Sequence, residues 1–405
     1  MRVLMLAPGY PAEMPLFTRG LARVGAEVWG LGDSAEGALP EIARRALAGY
    51  VRVPSLWDEH AVLDRIADLQ RQVRFERIEC LWEPGMLLAA RLREELGVEG
   101  LGMEATLRFR DKEKMKQALD AAGLRTPRHA RAASDEDIRA AAARIGYPLI
   151  VKPIAGAGSQ DTYRVDGPVQ LEEIVGRVRH VPEVSVEEYV EGEEFTFDTI
   201  CANGRILYHN VAWYRPKPLI GRSIEWISPQ TVTLRDPDHE RLRVGRELGA
   251  GVLRALGFRS GFTHMEWFLT PRGEAVFGEI AARPPGARSV DLMNFASDID
   301  VYVGWAEAVC HGAFTQPVTR KYNSAVVFKR AQGQGRIRRI EGLERLLRAI
   351  GPWVAAVELL PVGAPRRNWR QTLISDGFLI VRHPDLEALL EIADRVGTDL
   401  QMYAE

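Results

Sequence analysis

Glu266 and Glu279 flank a turn in the segment THMEWFLTPRGEAVFGEIAAR, residues Thr263 to Arg283. Trp267, Phe268, Val276 and Phe277 are strand formers and Pro271, Arg272, Gly273 and Glu274 are turn formers, so the segment reads as a β-hairpin. A four-residue loop pairs Thr270 with Ala275, Phe268 with Phe277 and Glu266 with Glu279, with all six side chains on one face. Directly opposed carboxylates repel, and the arrangement becomes favourable when one is protonated or a cation lies between them. Magnesium, a hard cation that prefers oxygen donors, is the expected occupant; a solvated face carrying glutamates is the simpler alternative. His264 falls two residues before Glu266 on the same face, suited to proton transfer or to packing.

A second group of residues has the chemistry of a polyphosphate site. Lys152 ends the apolar run YPLIVKP and is followed by AGAGS, residues 155–159. The lysine places a positive charge against phosphate oxygens, and Gly156 and Gly158 let backbone N–H groups approach without a Cβ in the way. No GK[ST] follows, so this is not a Walker loop, and GxGxxG is absent. Downstream, VSVEEYVEGEEFTFD, residues 184–198, reads as two strands broken at Glu191-Gly192. Its main chain from Glu188 to Val190 is suited to an adenine edge and Glu194 to ribose hydroxyls. The alternative is an acidic edge that discourages strand association.

The elements that must position these residues alternate along the chain. A strand from Arg2 to Ala7, a helix from Met14 to Gly25 and a strand from Ala26 to Gly30 form a strand–helix–strand unit, which implies a parallel sheet. The alternation continues through a helix at 61–74, a strand at 78–82 and a helix at 86–96. Ligands of open α/β sheets bind outside the strand carboxyl ends, here Pro8 to Tyr10 and Glu83 to Gly85. Glu83 is thus either a substrate or lid contact, or a turn carboxylate with no role. Helices follow over Asp111 to Ala122 and Ser134 to Arg144, the latter with Ser134 as N-cap and Gly146 as stop. The segment WYRPKPLIGRSIEWI, residues 213–227, reads as a loop that closes over or contacts a substrate, or as a simple flap. Strands at 324–329 and 378–382 and a helix at 386–396 complete the chain.

Composition bounds what these pieces can be. The 405 residues suffice for two or three packed units, and 46% hydrophobic with 27% charged residues excludes a disordered or fibrous chain. A net charge of −2 gives no footprint for nucleic acid. Arg366, Arg367 and Arg370 read as a solvated surface. Three separated cysteines, Cys80, Cys201 and Cys310, argue against a disulfide framework and for a cytoplasmic location. No apolar run approaches the roughly 20 residues of a spanning helix, so no membrane partner is expected.

RDKEKMKQAL, YPLIVKP, AGAGS, VEEYVEGEEFT and the hairpin ending EIAARP occur in this order, and together they resemble the ATP-grasp superfamily. The resemblance implies an ATP-grasp fold of the α/β and α+β classes. An amino-terminal Rossmann-like (pre-ATP-grasp) α/β domain is expected over 1–105, a catalytic core over 106–315 with a lid at about 125–190, and a small closing α+β domain over 316–405. It also implies ATP and one or two Mg2+ as cofactors. Lys112 and Lys152 would contact the phosphates under a lid formed by Gly156, Gly158 and Ser159. Glu187, Glu188 and Val190 would hold adenine, Glu194 ribose, and Glu266 and Glu279 magnesium. Arg283 would steady the transferring phosphoryl group.

Arg288, in PPGARS, is a guanidinium available to a substrate carboxylate or is a surface residue. Many members carry an asparagine two residues after the second acid, where this chain has Ala281. The AARP pattern instead resembles the branch of amino-acid ligases and certain carboxylases. The implied activity is ATP-dependent joining of a carboxylate to an amine through an acyl phosphate, as in dipeptide formation. The alternatives are activation of bicarbonate and a nucleotide-binding scaffold without catalysis. The partners expected are small-molecule carboxylates and amines, and a homodimer is one assembly consistent with the resemblance.

Overall fold

The computed structural model describes residues 1–156, 161–372 and 374–405. Its amino-terminal sheet is parallel, ordered Gly49–Arg52, Glu27–Gly32, Arg2–Leu6 and Arg77–Glu79. The helices Met14–Arg23, Glu59–Val73 and Met86–Leu96 supply its crossovers and cover. Leu4, Leu6, Leu31, Val51 and Ile78 pack on one face of this sheet with Val62, Ile66 and Leu92 from the helices.

An antiparallel sheet ordered His129–Ala132, Val184–Glu188, Leu149–Pro153 and Tyr163–Val165 forms a small lid. Its core consists of aliphatic residues from these strands and from the helices Asp135–Ile145 and Pro168–Val178. Ser134 caps the first helix by accepting from the Asp137 N–H, and Gly146 follows it at φ 84°, a left-handed φ that glycine adopts without a Cβ clash.

The largest sheet has eight strands, and it joins parts of the sequence that are far apart. Its order is Ala275–Ala281, Gly261–Leu269, Glu193–Ala202, Arg205–Arg215, Gln230–Thr233, Asn323–Lys329, Gly377–His383 and Val354–Leu359. The strands expected near 324–329 and 378–382 therefore extend this central sheet. The helix Leu386–Asp399 packs against both of them.

The two strands flanking Glu191-Gly192 belong to different sheets, the first to the lid and the second to the central sheet. The break is a crossing between layers, which replaces the alternative of an acidic hairpin edge. Gly192 permits it, because a Cβ there would lie 2.5 Å from the Leu269 carbonyl oxygen.

The acid-bearing hairpin has the expected pairing at its functional end only. Glu266 pairs with Glu279, but Phe268 pairs with Val276 and Leu269 with Ala275, in place of Phe268 with Phe277 and Thr270 with Ala275. An irregularity between Glu266 and Trp267 absorbs the extra residue, Gly278. A Cβ on Gly278 would come 2.8 Å from the Glu266 carbonyl oxygen. The bulge also turns Phe277 into the core beside Trp267, so the six side chains do not share one face.

The arginines expected on a solvated surface are partly structural. The Arg366 side chain is almost wholly buried, its guanidinium meeting Glu225 and lying 3.6 Å from Asp376. Arg367 donates to the Ser375 carbonyl oxygen at 3.0 Å, and Arg370 is exposed.

Candidate active site

The lid and the central sheet enclose a cavity of about 430 Å3. Lys112, Lys152, Gly156, Glu187, Glu188, Val190, Glu194, Glu266 and Glu279 all line it, so most of the residues singled out from sequence meet in one place. Gly158 and Ser159 lie outside the described residues.

Lys112 opens the helix Lys112–Ala121, whose N-cap Asp111 accepts from the N–H groups of Glu113 and Lys114. Its ammonium donates to the Gly156 carbonyl oxygen at 3.1 Å and lies 3.5 Å from Glu279. Lys152 reaches the same acid from the lid strand, at 3.9 Å. Burial pushes the Glu279 carboxyl upward, but Lys112 and Lys152 outweigh it and hold the group well below the usual carboxylate range.

Glu187, expected at the adenine, has charged partners of its own in this cavity. Its buried carboxylate lies 2.8 Å from Lys116 and 3.0 Å from Lys152, and it accepts from the Ser185 hydroxyl at 2.8 Å. Burial opposes ionisation, but the two lysines prevail and the group stays a carboxylate. Glu187 is thus the counter-ion of the buried Lys116 ammonium and the nearer acid to the half-buried Lys152. Lys116 is absent from the sequence reading, although its spacing of four residues from Lys112 puts both on one helix face.

The backbone from Glu188 to Val190 has one amide to offer. The Glu188 and Tyr189 N–H groups are bonded to the carbonyl oxygens of Arg128 and Pro148, whereas among the described residues the Val190 N–H has no backbone acceptor. The Glu188 carboxylate is held by the Arg128 N–H at 3.0 Å and by Arg125 at 3.3 Å. Glu194 stands nearby with its carboxyl pushed well up, first by burial and then by the charge of Glu266, with Lys217 opposing.

Glu266 has a different environment from Glu279. The Tyr214 hydroxyl donates to its Oε1 at 3.1 Å, and His264 Nε2 lies 3.6 Å from the same oxygen. His264 is packed, with its Nδ1 2.6 Å from the buried Asp198 carboxylate. Burial works against its charge, yet Asp198 and Glu266 together raise its pKa to about 9. Two opposed carboxylates, one beside lysines and one beside a tyrosine hydroxyl and a histidine, suit a magnesium ion that keeps several waters and borrows phosphate oxygens. Among the described residues no group of three or more acidic, histidine or cysteine side chains could hold a metal by itself.

Neither arginine expected at the reacting centre appears in the described lining of this cavity. Arg283 Nη2 lies 2.6 Å from Glu83, which also meets Arg110. Glu83 is therefore a half-buried counter-ion between two guanidinium groups. Arg288 Nε lies 2.7 Å from Asp291, and its N–H donates to Glu13 at 3.3 Å. The segment 213–227 contains the helix Pro218–Ser223, whose Pro218, Leu219 and Ile220 form part of the cavity wall.

The ATP-grasp domain family model matches residues 109–213, the stretch that supplies Lys112, Lys152 and the layer crossing. The solved L-amino acid ligase from Bacillus licheniformis superposes with a TM-score of 0.79 at 22% identity, covering 100% of this chain and 98% of that one. Residues 109–213 thus match the ATP-grasp domain, and the whole chain shares the fold of that ligase. A second superposition, with phosphoribosylglycinamide synthetase from Anaerococcus prevotii, has a TM-score of 0.72 at 15% identity over 100% and 99% of the two chains. Among curated proteins, the L-arginine-specific L-amino acid ligase of Bacillus subtilis is 28% identical over 255 residues, 58% of this chain and 61% of that protein. The chain spans about half to three fifths of the length of the first curated relatives it matches. None of its described helices is long and apolar enough to cross a membrane.

Proposed function

We propose that this ATP-grasp chain is an ATP- and magnesium-dependent ligase that activates a carboxylate as an acyl phosphate and joins it to an amine. The observation that carries this reading is the meeting of Lys112 and Lys152 with Glu279 directly opposite Glu266, in one cavity beneath the lid. Phosphoryl transfer depends chiefly on positioning and on neutralising phosphate oxygens, and this site has two cations and a pair of metal-suited acids for that work.

In the first step a substrate carboxylate oxygen forms a bond to the γ-phosphorus while the bond to the ADP oxygen breaks. In the second, the amine nitrogen attacks the acyl carbon, inorganic phosphate leaves and the nitrogen loses a proton. Lys112 and Lys152 hold the phosphates, the Val190 N–H meets the base, and Glu194 meets ribose. Bound magnesium supplies further neutralisation of phosphate charge, with Glu266 and Glu279 as its ligands. Arg283 is released from Glu83 when an anionic group takes its place.

The reading is tested by ADP release from ATP and magnesium across pairs of amino acids and other small acids, with bicarbonate as a separate arm. Release that needs both a carboxylate and an amine supports the ligase. Release driven by bicarbonate alone supports a carboxylase, and no release with any pair defeats both.

A further inference from the structure

Three aromatic side chains that the phosphoryl chemistry does not use converge at one end of the amino-terminal sheet. The chain winds from Arg2–Leu6 outward through Glu27–Gly32 to Gly49–Arg52, then returns to the other side of Arg2–Leu6 with Arg77–Glu79. The winding direction reverses between the strands Arg2–Leu6 and Arg77–Glu79, and ligands of open α/β sheets bind outside the carboxyl ends at such a reversal. Tyr10 follows the first of these strands, Trp82 follows the second, and Trp57 follows Gly49–Arg52. The Tyr10 and Trp82 ring centroids are 5.9 Å apart, and those of Trp57 and Trp82 are 5.5 Å apart.

Trp82 is the fixed member, since a Cβ on Gly85 would lie 3.1 Å from its ring. Tyr10 and Trp57, by contrast, are 64% and 66% exposed. Large aromatic rings left open together are unfavourable in water and mark a surface that something covers.

Polar groups beside the rings say what that is. Glu83 adjoins Trp82 and accepts from Arg283 Nε at 2.7 Å; Glu13, in the loop that carries Tyr10, accepts from the Arg288 N–H at 3.3 Å. Both arginines follow the strand that carries Glu279, so the loops that carry Tyr10 and Trp82 meet the segment after this strand through two direct contacts. A ligand here meets aromatic faces at one end and a carboxylate-binding guanidinium with an amine-binding carboxylate at the other.

We infer that Tyr10, Trp57 and Trp82 form the side-chain subsite for an amino acid bearing an aromatic ring, with Arg283 and Glu83 facing its carboxylate and amino groups. An incoming ring can pack edge-on or offset against these three at the usual centroid spacings. This assignment rests on the ligase reading for its catalytic meaning, but the binding it requires does not.

The test is titration of the full chain, with magnesium and a non-hydrolysable ATP analogue, by phenylalanine and by alanine in a calorimeter, followed by sedimentation of the same samples. Phenylalanine should bind about 10-fold more tightly than alanine, a ratio matching one to two aromatic contacts. The combined Tyr10→Ala and Trp57→Ala variant, altered only at exposed positions, should lose that preference and keep its affinity for the analogue. Equal binding of the two amino acids, or a preference that survives in the variant, overturns the inference. So does wild-type self-association that the variant abolishes, because a second copy of the chain then covers the rings. If phenylalanine binds as expected but no substrate pair releases ADP, the subsite stands and the ligase reading fails.

Discussion

Glu187 lies 3.0 Å from Lys152 and is the nearer of the two carboxylates that hold that lysine's charge, Glu279 being 3.9 Å away. Lys116, buried in its helix, shares the Glu187 carboxylate at 2.8 Å. Sheet pairing of Ile150 with Glu187 brings the acid beneath the lysine-bearing strand. The site's positive charge is therefore built into the contact between helix and lid.

Glu187→Gln leaves the buried Lys116 ammonium without its counter-ion and takes the nearer carboxylate from Lys152. Breaking a buried pair in this way costs about 3–5 kcal/mol, so the denaturant midpoint should fall accordingly. The double variant Glu187→Gln with Lys116→Met should recover part of that loss. A loss below about 1 kcal/mol, the size of an ordinary surface substitution effect, contradicts the counter-ion role.

Tyr214→Phe removes only the hydroxyl that donates to Glu266. Groups that orient metal ligands typically alter metal affinity by about 10-fold or more, so half-maximal ADP release should need about 10-fold more magnesium. Binding of ATP analogue without metal should be unchanged. An unaltered magnesium dependence contradicts the assignment of Glu266.

His129 carries a pH dependence. Its ring nitrogens lie 2.9 Å from Glu113 and 2.9 Å from Asp120, which fastens the lid sheet to the helix Lys112–Ala121. Burial lowers its pKa, but the hydrogen bonds to Glu113 and Asp120 outweigh burial and the net shift is upward. A raised pKa means stability that is fully present below the ordinary imidazole value of about 6.5 and is lost as pH rises through the folded value. Melting temperature should fall over that window in the wild type, and His129→Gln should flatten this part of the profile.

Arg330 fixes the wall formed by the helix Pro218–Ser223. Its guanidinium donates to the carbonyl oxygens of Gly221 at 2.8 Å and Ile224 at 2.8 Å, and it stacks on Trp369 with 4.6 Å to the ring centroid. Losing these two bonds in Arg330→Ala, at about 1 kcal/mol per bond, should raise KM for ATP roughly 30-fold, with a smaller change in kcat. Arg330→Lys should fall between, because an ammonium cannot span both carbonyls.

Much of the site could be read from the order of motifs. Lys152 and Gly156 declare themselves by a buried strand running into small residues, and Glu266 and Glu279 by a hairpin whose ends oppose. What escaped the reading depends on long-range pairing. Lys116 and Glu187 are 71 residues apart, and only the lid fold makes them partners. Glu83 and Arg283 are separated by 200 residues and meet where the amino-terminal sheet docks on the core. The Gly278 bulge had a signal, an isolated glycine within a strand, but a regular hairpin explained the same acids equally well. Arg366 looked solvated because arginine usually is, and its burial follows from the Asp376 carboxylate in the adjoining loop.

The central claim is that a carboxylate is activated by phosphoryl transfer, and oxygen tracing tests it most directly. With a carboxylate substrate labelled in heavy oxygen, an amine, ATP and magnesium, the released inorganic phosphate should carry one labelled oxygen per turnover. Glu279→Gln should lower the rate of that transfer by about 100-fold or more, as expected when charge stabilisation at a phosphoryl centre is lost. Product formed with unlabelled phosphate contradicts the acyl-phosphate mechanism.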